Sequence, residues 1–260
     1  MNGPVNKKGV TYAIMLFVIM LFVGCSSPSS EANEEVELHI MTAASMTDAM
    51  NELKQMYERE HEHLTLVPNY GSSGTLKSQI IQGAPADLFL SAAVRWMDEL
   101  EEEGVITQRA DLLRNELVLV TAEDSDLAVT QFEDLLQEEV YQLAIGEPDT
   151  VPAGEYARQV LEELGIYEEL SDKLIHGSDV RQVLTYVETG NVDAGLVYQT
   201  DAILSDQVKI VAEAETEEPI IYPVGLLEGT DHPEEAARFY QWLQTDEVLE
   251  VFKKYGFAGA

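Results

Sequence analysis

From residue 36 onward the chain alternates between short apolar runs and segments of helical periodicity, and this alternation constrains the fold more than any other feature. "VELHIMTAA" reads as a strand, and Ser45–Glu60 as a helix with Met46, Ala49, Met50, Leu53, Met56 and Tyr57 on one face. "HLTLVPNYG", "ADLFLSA", "ELVLVTA", "YQLAIGE", "AGLVYQ", "QVKIVAEA" and "PIIYPVGLL" read as further strands. Helices are expected over Thr75–Gln82, Val94–Glu103, Ala153–Leu164, Asp179–Thr189, Pro233–Gln244 and Glu247–Tyr255, with a short one at "QFEDLLQ". Such a pattern predicts an α/β protein built on largely parallel sheet with helices on its faces. A chain of 260 residues, 45% hydrophobic, can bury one large core or two compact lobes. The strand Glu116–Ala122 and the acidic turn "AEAETEEP" are plausible places to cross between lobes.

The first 24 residues do not belong to that pattern. Lys7 and Lys8 precede the apolar run "GVTYAIMLFVIMLFVGC", a charged start and apolar core of the kind that directs secretion. The run is shorter than the ~20 residues that comfortably span a bilayer. Its end, "LFVGC", resembles the bacterial lipobox, in which the cysteine is lipidated; Phe22 stands where that box usually has Leu, and Leu21 one place earlier. The alternative is a plain signal peptide with an incidental cysteine. Residues 1–24 are thus expected to be a signal peptide, Cys25 the lipidation site, and 25–35 a polar tether. With a single cysteine no internal disulfide can form. The expected location is outside the cell membrane, anchored to its outer face by lipid.

Loss of Lys7 and Lys8 leaves 13 basic against 48 acidic residues in a chain whose formal net charge is −33. So negative a body argues against nucleic acid or an anionic membrane surface as partner.

Four strand-to-helix junctions carry distinctive residues. "AASMTDAM" enters its helix at Ser45, "NYGSSGTL" through Gly71, Ser72, Ser73 and Gly74, "VPAGEYA" through Val151, Pro152, Ala153 and Gly154, and "GSDVRQVL" through Asp179 and Val180. In α/β sheets ligands collect at the carboxyl ends of strands. Helix N-termini there offer unpaired N–H groups and partial positive charge, an anion site without a formal cation. Each junction also has a plain reading: Ser45 with Asp48 as a capping box, Asp179 as an N-cap, "GSSG" as a loop. A nucleotide phosphate loop is excluded, because it requires GK[ST] where this chain has GTLK.

"AASMTDAM", "GSSGTLKSQIIQGAPADLFLSA", "VPAGEYA" and "DVRQVLTYVETGNVDAGLVY" together resemble the bacterial molybdate-binding proteins of ABC importers, and the resemblance runs through the final "FKKYGF". It implies a two-lobe periplasmic-binding-protein fold of type II, each lobe a mixed, mostly parallel sheet flanked by helices, with ligand in the interlobe cleft. Lobe 1 is expected over 36–116 and 219–260, and lobe 2 over 117–218. Carried over by motif, the ligand groups are Ser45 and Ser73 through hydroxyl and N–H, the N–H groups of Ala153 and Val180, and the Tyr198 hydroxyl. Ser72 competes with Ser73, because the motif can slip by one. Asp48, Asp87 and Asp179 take structural roles. The resemblance implies no enzyme, no cofactor and no cation ligands; the partners are a small oxyanion and an ABC permease with its ATPase, and the chain acts as a monomer.

Physical chemistry supports that ligand independently. Molybdate carries no proton near neutral pH, so a selective cup presents donors only, and a facing carboxylate would repel it. Tungstate or sulfate in the same fold remains an alternative. An extracellular serine hydrolase is a different-class alternative, although no G-x-S-x-G is present. "HEH" at 61–63 lacks a third metal ligand and reads as a surface turn, His176 as an exposed or outer-shell residue near the "GSDV" junction, and Trp96 and Trp242 as packing.

Overall fold

The computed structural model describes residues 35–260; the expected signal peptide, Cys25 and the tether up to residue 34 lie outside the described residues. β1 (Val36–Ala43) passes through a 3₁₀ turn at Ala44–Met46 into α1 (Thr47–Glu60), which buries Ala49, Met50, Leu53 and Tyr57. β2 (Leu64–Gly71), α2 (Ser73–Ile81), β3 (Leu88–Leu90), α3 (Val94–Glu102) and β4 (Ile106–Asn115) follow. The chain then builds β5 (Leu117–Ala122), β6 (Leu143–Gly146), α4 (Pro152–Glu163), α5 (Tyr167–Leu170), β7 (Leu174–Gly177), α6 (Val180–Glu188), β8 (Ala194–Tyr198), α7 (Gln199–Ala202) and β9 (Val208–Glu213). It ends in β10 (Ile220–Leu227), α8 (Pro233–Trp242), α9 (Asp246–Lys254) and β11 (Ala258–Gly259).

These strands form two sheets, one six-stranded in the order β11-β4-β10-β3-β1-β2 and one five-stranded in the order β7-β6-β8-β5-β9. Both are mixed. β1 runs parallel to β2 and β3, and β6 parallel to β7 and β8. β10 pairs antiparallel with β3 and β4, and β5 antiparallel with β8 and β9. The parallel share is therefore smaller than strand–helix alternation suggests. The reason is topological: β4 runs straight into β5 and β9 returns to β10, so these strands change sheets instead of making a helical crossover.

Period-two alternation places side chains on both faces of the first sheet. Leu88 and Leu90 of β3 join the main core while Phe89, between them, packs with Leu76, Trp96, Met97 and Leu100 under α2 and α3. β4 is the strand that local pattern does not announce. Its sequence "ITQRADLLRN" buries Leu112, Leu113 and Asn115 but exposes much of its first half, so its pairing with β10 rather than its own hydrophobic rhythm makes it a strand.

Candidate functional site

The parallel strands of both sheets point their carboxyl ends at one place. β1 ends at Ala43 before Ser45, and β2 at Gly71 before the two serines. β6 ends at Gly146 before α4, β7 at Gly177 before α6, and β8 at Tyr198. A small cavity of about 10 Å³, roughly the room one water needs, is bordered by Ser45, Ser72, Ser73, Ala153, Val180 and Tyr198. All six residues singled out in the sequence are thus brought together, and every one of them is buried.

Local structure explains how each is presented. Ser73 and Val180 open α2 and α6, and Ala153 lies in the first turn of α4, so their N–H groups precede the first intrahelical bonds. Pro152 at the start of α4 loses nothing by lacking its N–H. Gly154 allows α4 to approach the end of β6: a Cβ there would lie 2.0 Å from the Gly146 carbonyl oxygen. The serines divide by partner. Ser72 caps α2, its Oγ accepting the Thr75 N–H at 3.4 Å and donating to Thr75 Oγ1 at 2.8 Å. Ser73 Oγ accepts the Ala92 N–H at 3.0 Å, which leaves its own hydrogen for another acceptor.

Among the described residues no Lys or Arg borders the cavity, and the one carboxylate there, Asp179, is turned to α6, where Oδ1 accepts the Gln182 N–H at 3.0 Å. Burial raises the Tyr198 hydroxyl well above the ordinary phenol range, which keeps it a donor. Of the other aspartates, Asp48 accepts from Arg181 Nη2 at 2.6 Å, and Asp87 accepts the His39 N–H at 2.6 Å and the Thr230 hydroxyl. Arg181 Nε also lies 2.6 Å from Oδ1 of the fully buried Asp201, although the N–H is not aimed at that oxygen. Burial, opposed by Arg181, pushes Asp201 up to about 7.

The lobes are closed over this cup. Gly74 N–H donates to the Thr150 carbonyl at 3.0 Å, Tyr198 Oη to the Ala92 carbonyl at 3.4 Å, and Arg95 pairs with Glu155 at 2.9 Å. Among the described residues, none of the three serines hydrogen-bonds a histidine. His176 pairs with Glu147 at the surface, and the His61 ring stacks on Tyr57. Among the described residues no group of three or more His, Cys, Asp or Glu is placed to hold a metal ion. Sequence reasoning passed over Asn115 and Tyr222, the residues behind Ser45: Tyr222 Oη lies 3.0 Å from Ser45 Oγ and 3.0 Å from Asn115 Nδ2.

Two sheet-and-helix lobes closed on a buried cup define a two-lobe binding protein of the periplasmic type. The chain belongs to the bacterial extracellular solute-binding protein family, whose model matches residues 38–258, a family of transporter substrate-binding proteins and not of enzymes. YvgL of Bacillus subtilis, provisionally named an ABC transporter substrate-binding lipoprotein, is 46% identical over 257 residues, covering 96% of this chain and 98% of its own. The molybdate-binding protein ModA of Escherichia coli is 38% identical over 234 residues, covering 86% of this chain and 90% of its own. Among solved structures, the periplasmic molybdate-binding protein of Azotobacter vinelandii superposes with a TM-score of 0.76 over 85% of this chain and 98% of its own, at 23% identity.

Proposed function

We propose that this protein captures molybdate outside the cell and delivers it to an ABC permease and its ATPase. The observation that carries the reading is a buried cup bordered by hydroxyls and first-turn N–H groups, with, among the described residues, no cationic side chain and one carboxylate that is occupied elsewhere. Donors of this kind suit a fully deprotonated tetrahedral dianion, each hydrogen bond to the charged ligand contributing ~1.5–3 kcal/mol. Ser45 and Ser73 bind through hydroxyl and N–H, Ala153 and Val180 through N–H, and Tyr198 through its hydroxyl. Ser73 is preferred to Ser72, whose hydroxyl hydrogen serves Thr75. Tungstate fits the same donors; sulfate differs in size.

Cys25 carries a lipid that holds the protein, as a monomer, to the outer face of the membrane. The lipoprotein name of its Bacillus subtilis relative supports the lipid anchor. Cys25→Ser should move the protein from the membrane fraction to the medium. For the ligand, calorimetric titration with molybdate, tungstate, sulfate and phosphate is the test. Tight binding of molybdate is expected, and absence of heat with all four anions defeats the reading.

A further inference from the structure

A hydrogen-bond chain starts at the junction between the lobes and ends at the cup. Asn115, the last residue of β4, is buried. Its Oδ1 accepts the Glu116 N–H at 2.9 Å, and since a backbone N–H can only donate, that end of the amide must be the oxygen. The other end is then the NH₂ group, and both its hydrogens have acceptors: Thr200 Oγ1 at 2.9 Å and Tyr222 Oη at 3.0 Å. Tyr222 Oη therefore receives a hydrogen bond, and its own hydrogen goes to another oxygen. Ser45 Oγ, at 3.0 Å, is an oxygen within hydrogen-bond reach, where by distance either atom could donate. The neighbouring Tyr198 instead directs its hydrogen to the Ala92 carbonyl at 3.4 Å.

We infer that Asn115 and Tyr222 are positioning residues that set the polarity of the Ser45 hydroxyl, forcing it to accept from behind and donate into the cup. The inference rests on the oxyanion reading and extends it to selectivity. An anion with no proton gains a donor at Ser45. An anion that keeps a proton needs an acceptor somewhere in the cup, and this chain denies it one at Ser45. Burial supports the assignment: it raises Tyr222 well above the ordinary phenol range, so the phenol keeps the hydrogen it passes on. Thr200 lies in α7 of the second lobe and Tyr222 in β10 of the first, so the chain is complete only where the lobes meet.

The polarity is reversible by one isosteric change. In Asn115→Asp a carboxylate replaces the NH₂ donor, Tyr222 donates to it, and Ser45, no longer held as an acceptor, is free to turn its hydrogen toward Tyr222. The full-length protein in detergent is titrated with molybdate and, by displacement, with hydrogen arsenate, a tetrahedral dianion that retains a proton near neutral pH. Asn115→Asp should weaken molybdate about 10- to 100-fold, the span of one charge-assisted hydrogen bond. It should weaken hydrogen arsenate less, so that the ratio of the two affinities falls. Tyr222→Phe, which keeps the ring packed, should lower the ratio in the same direction by a smaller factor, and it decides alone if Asn115→Asp does not fold. Equal weakening of both anions, the mark of a merely structural role, or no change in either, overturns the inference. A wild type that binds neither anion overturns the oxyanion reading itself.

Discussion

At Ser72 and Ser73, adjacent hydroxyls have separate partners, and substitution should separate their effects. Ser72→Ala removes a helix cap and is expected to lower stability by about 1 kcal/mol while leaving anion affinity nearly unchanged. Ser73→Ala removes a group whose hydrogen has no acceptor among the described residues, and should weaken molybdate about 10- to 100-fold. Calorimetry with thermal unfolding checks both, and a reversed pattern would assign the ligand contact to Ser72. Asp201 makes a prediction of a different kind. Its carboxyl is raised from the ordinary 3.8 to about 7 by burial. Between those values the folded chain keeps a proton that the unfolded chain has released. Its contribution to stability is therefore greatest at acid pH, declines as pH rises through about 7, and is flat above. Urea unfolding of wild type and Asp201→Asn from pH 4 to 8 isolates this group from the many other acids. The wild-type stability should fall relative to the variant across that range, and a pH-independent difference would refute the shift.

Among elements, the approach of α2 to the loop before α4 determines whether the lobes can close. Gly74 donates to the Thr150 carbonyl, and a Cβ at residue 74 would lie 2.7 Å from that oxygen and 2.9 Å from Thr150 Cα. It would also meet the edge of Trp96 at 2.9 Å, but that ring belongs to the same lobe and stays with α2 when the lobes part. Gly74→Ala should therefore penalise the closed form by the ~1–3 kcal/mol typical of overpacking. Molybdate affinity is expected to fall about 5- to 100-fold, mostly through faster release, with a much smaller change in melting temperature. Unchanged release kinetics would show that closure tolerates the methyl. Gly74 was visible in the sequence as part of "GSSG", because the strand-to-helix junctions are local and combine β periodicity, small residues and helix starts within a few positions. β4 was not visible: Arg109, Asp111 and Arg114 interrupt its apolar rhythm, and its partner β10 lies over a hundred residues away. Asn115 and Tyr222 were hidden for the same reason, being 107 positions apart and neighbours only through the pairing of crossing strands.

For the molecule as a whole, the formal net charge of −33 is set against a cup made for a dianion. The two are compatible because they act over different distances. Inside the cup the donors are buried and touch the ligand, so bulk ions screen them little. Outside, the excess of acidic side chains produces a negative potential through which a dianion must diffuse, and that potential decays over a Debye length of ~8 Å at physiological ionic strength. Salt should therefore speed association and leave dissociation nearly untouched. Trp96, at the interlobe contact beside Gly74, provides a fluorescence signal for closure. In stopped-flow mixing with molybdate, the association rate constant is expected to rise between ~0.01 and ~0.15 M salt, where the Debye length shrinks from ~30 to ~8 Å. The Gly74→Ala variant should show the same salt dependence of encounter with faster release, since its defect lies in closure and not in approach. An association rate that is flat or falls with salt would mean that the route into the cup is shielded from the acidic surface.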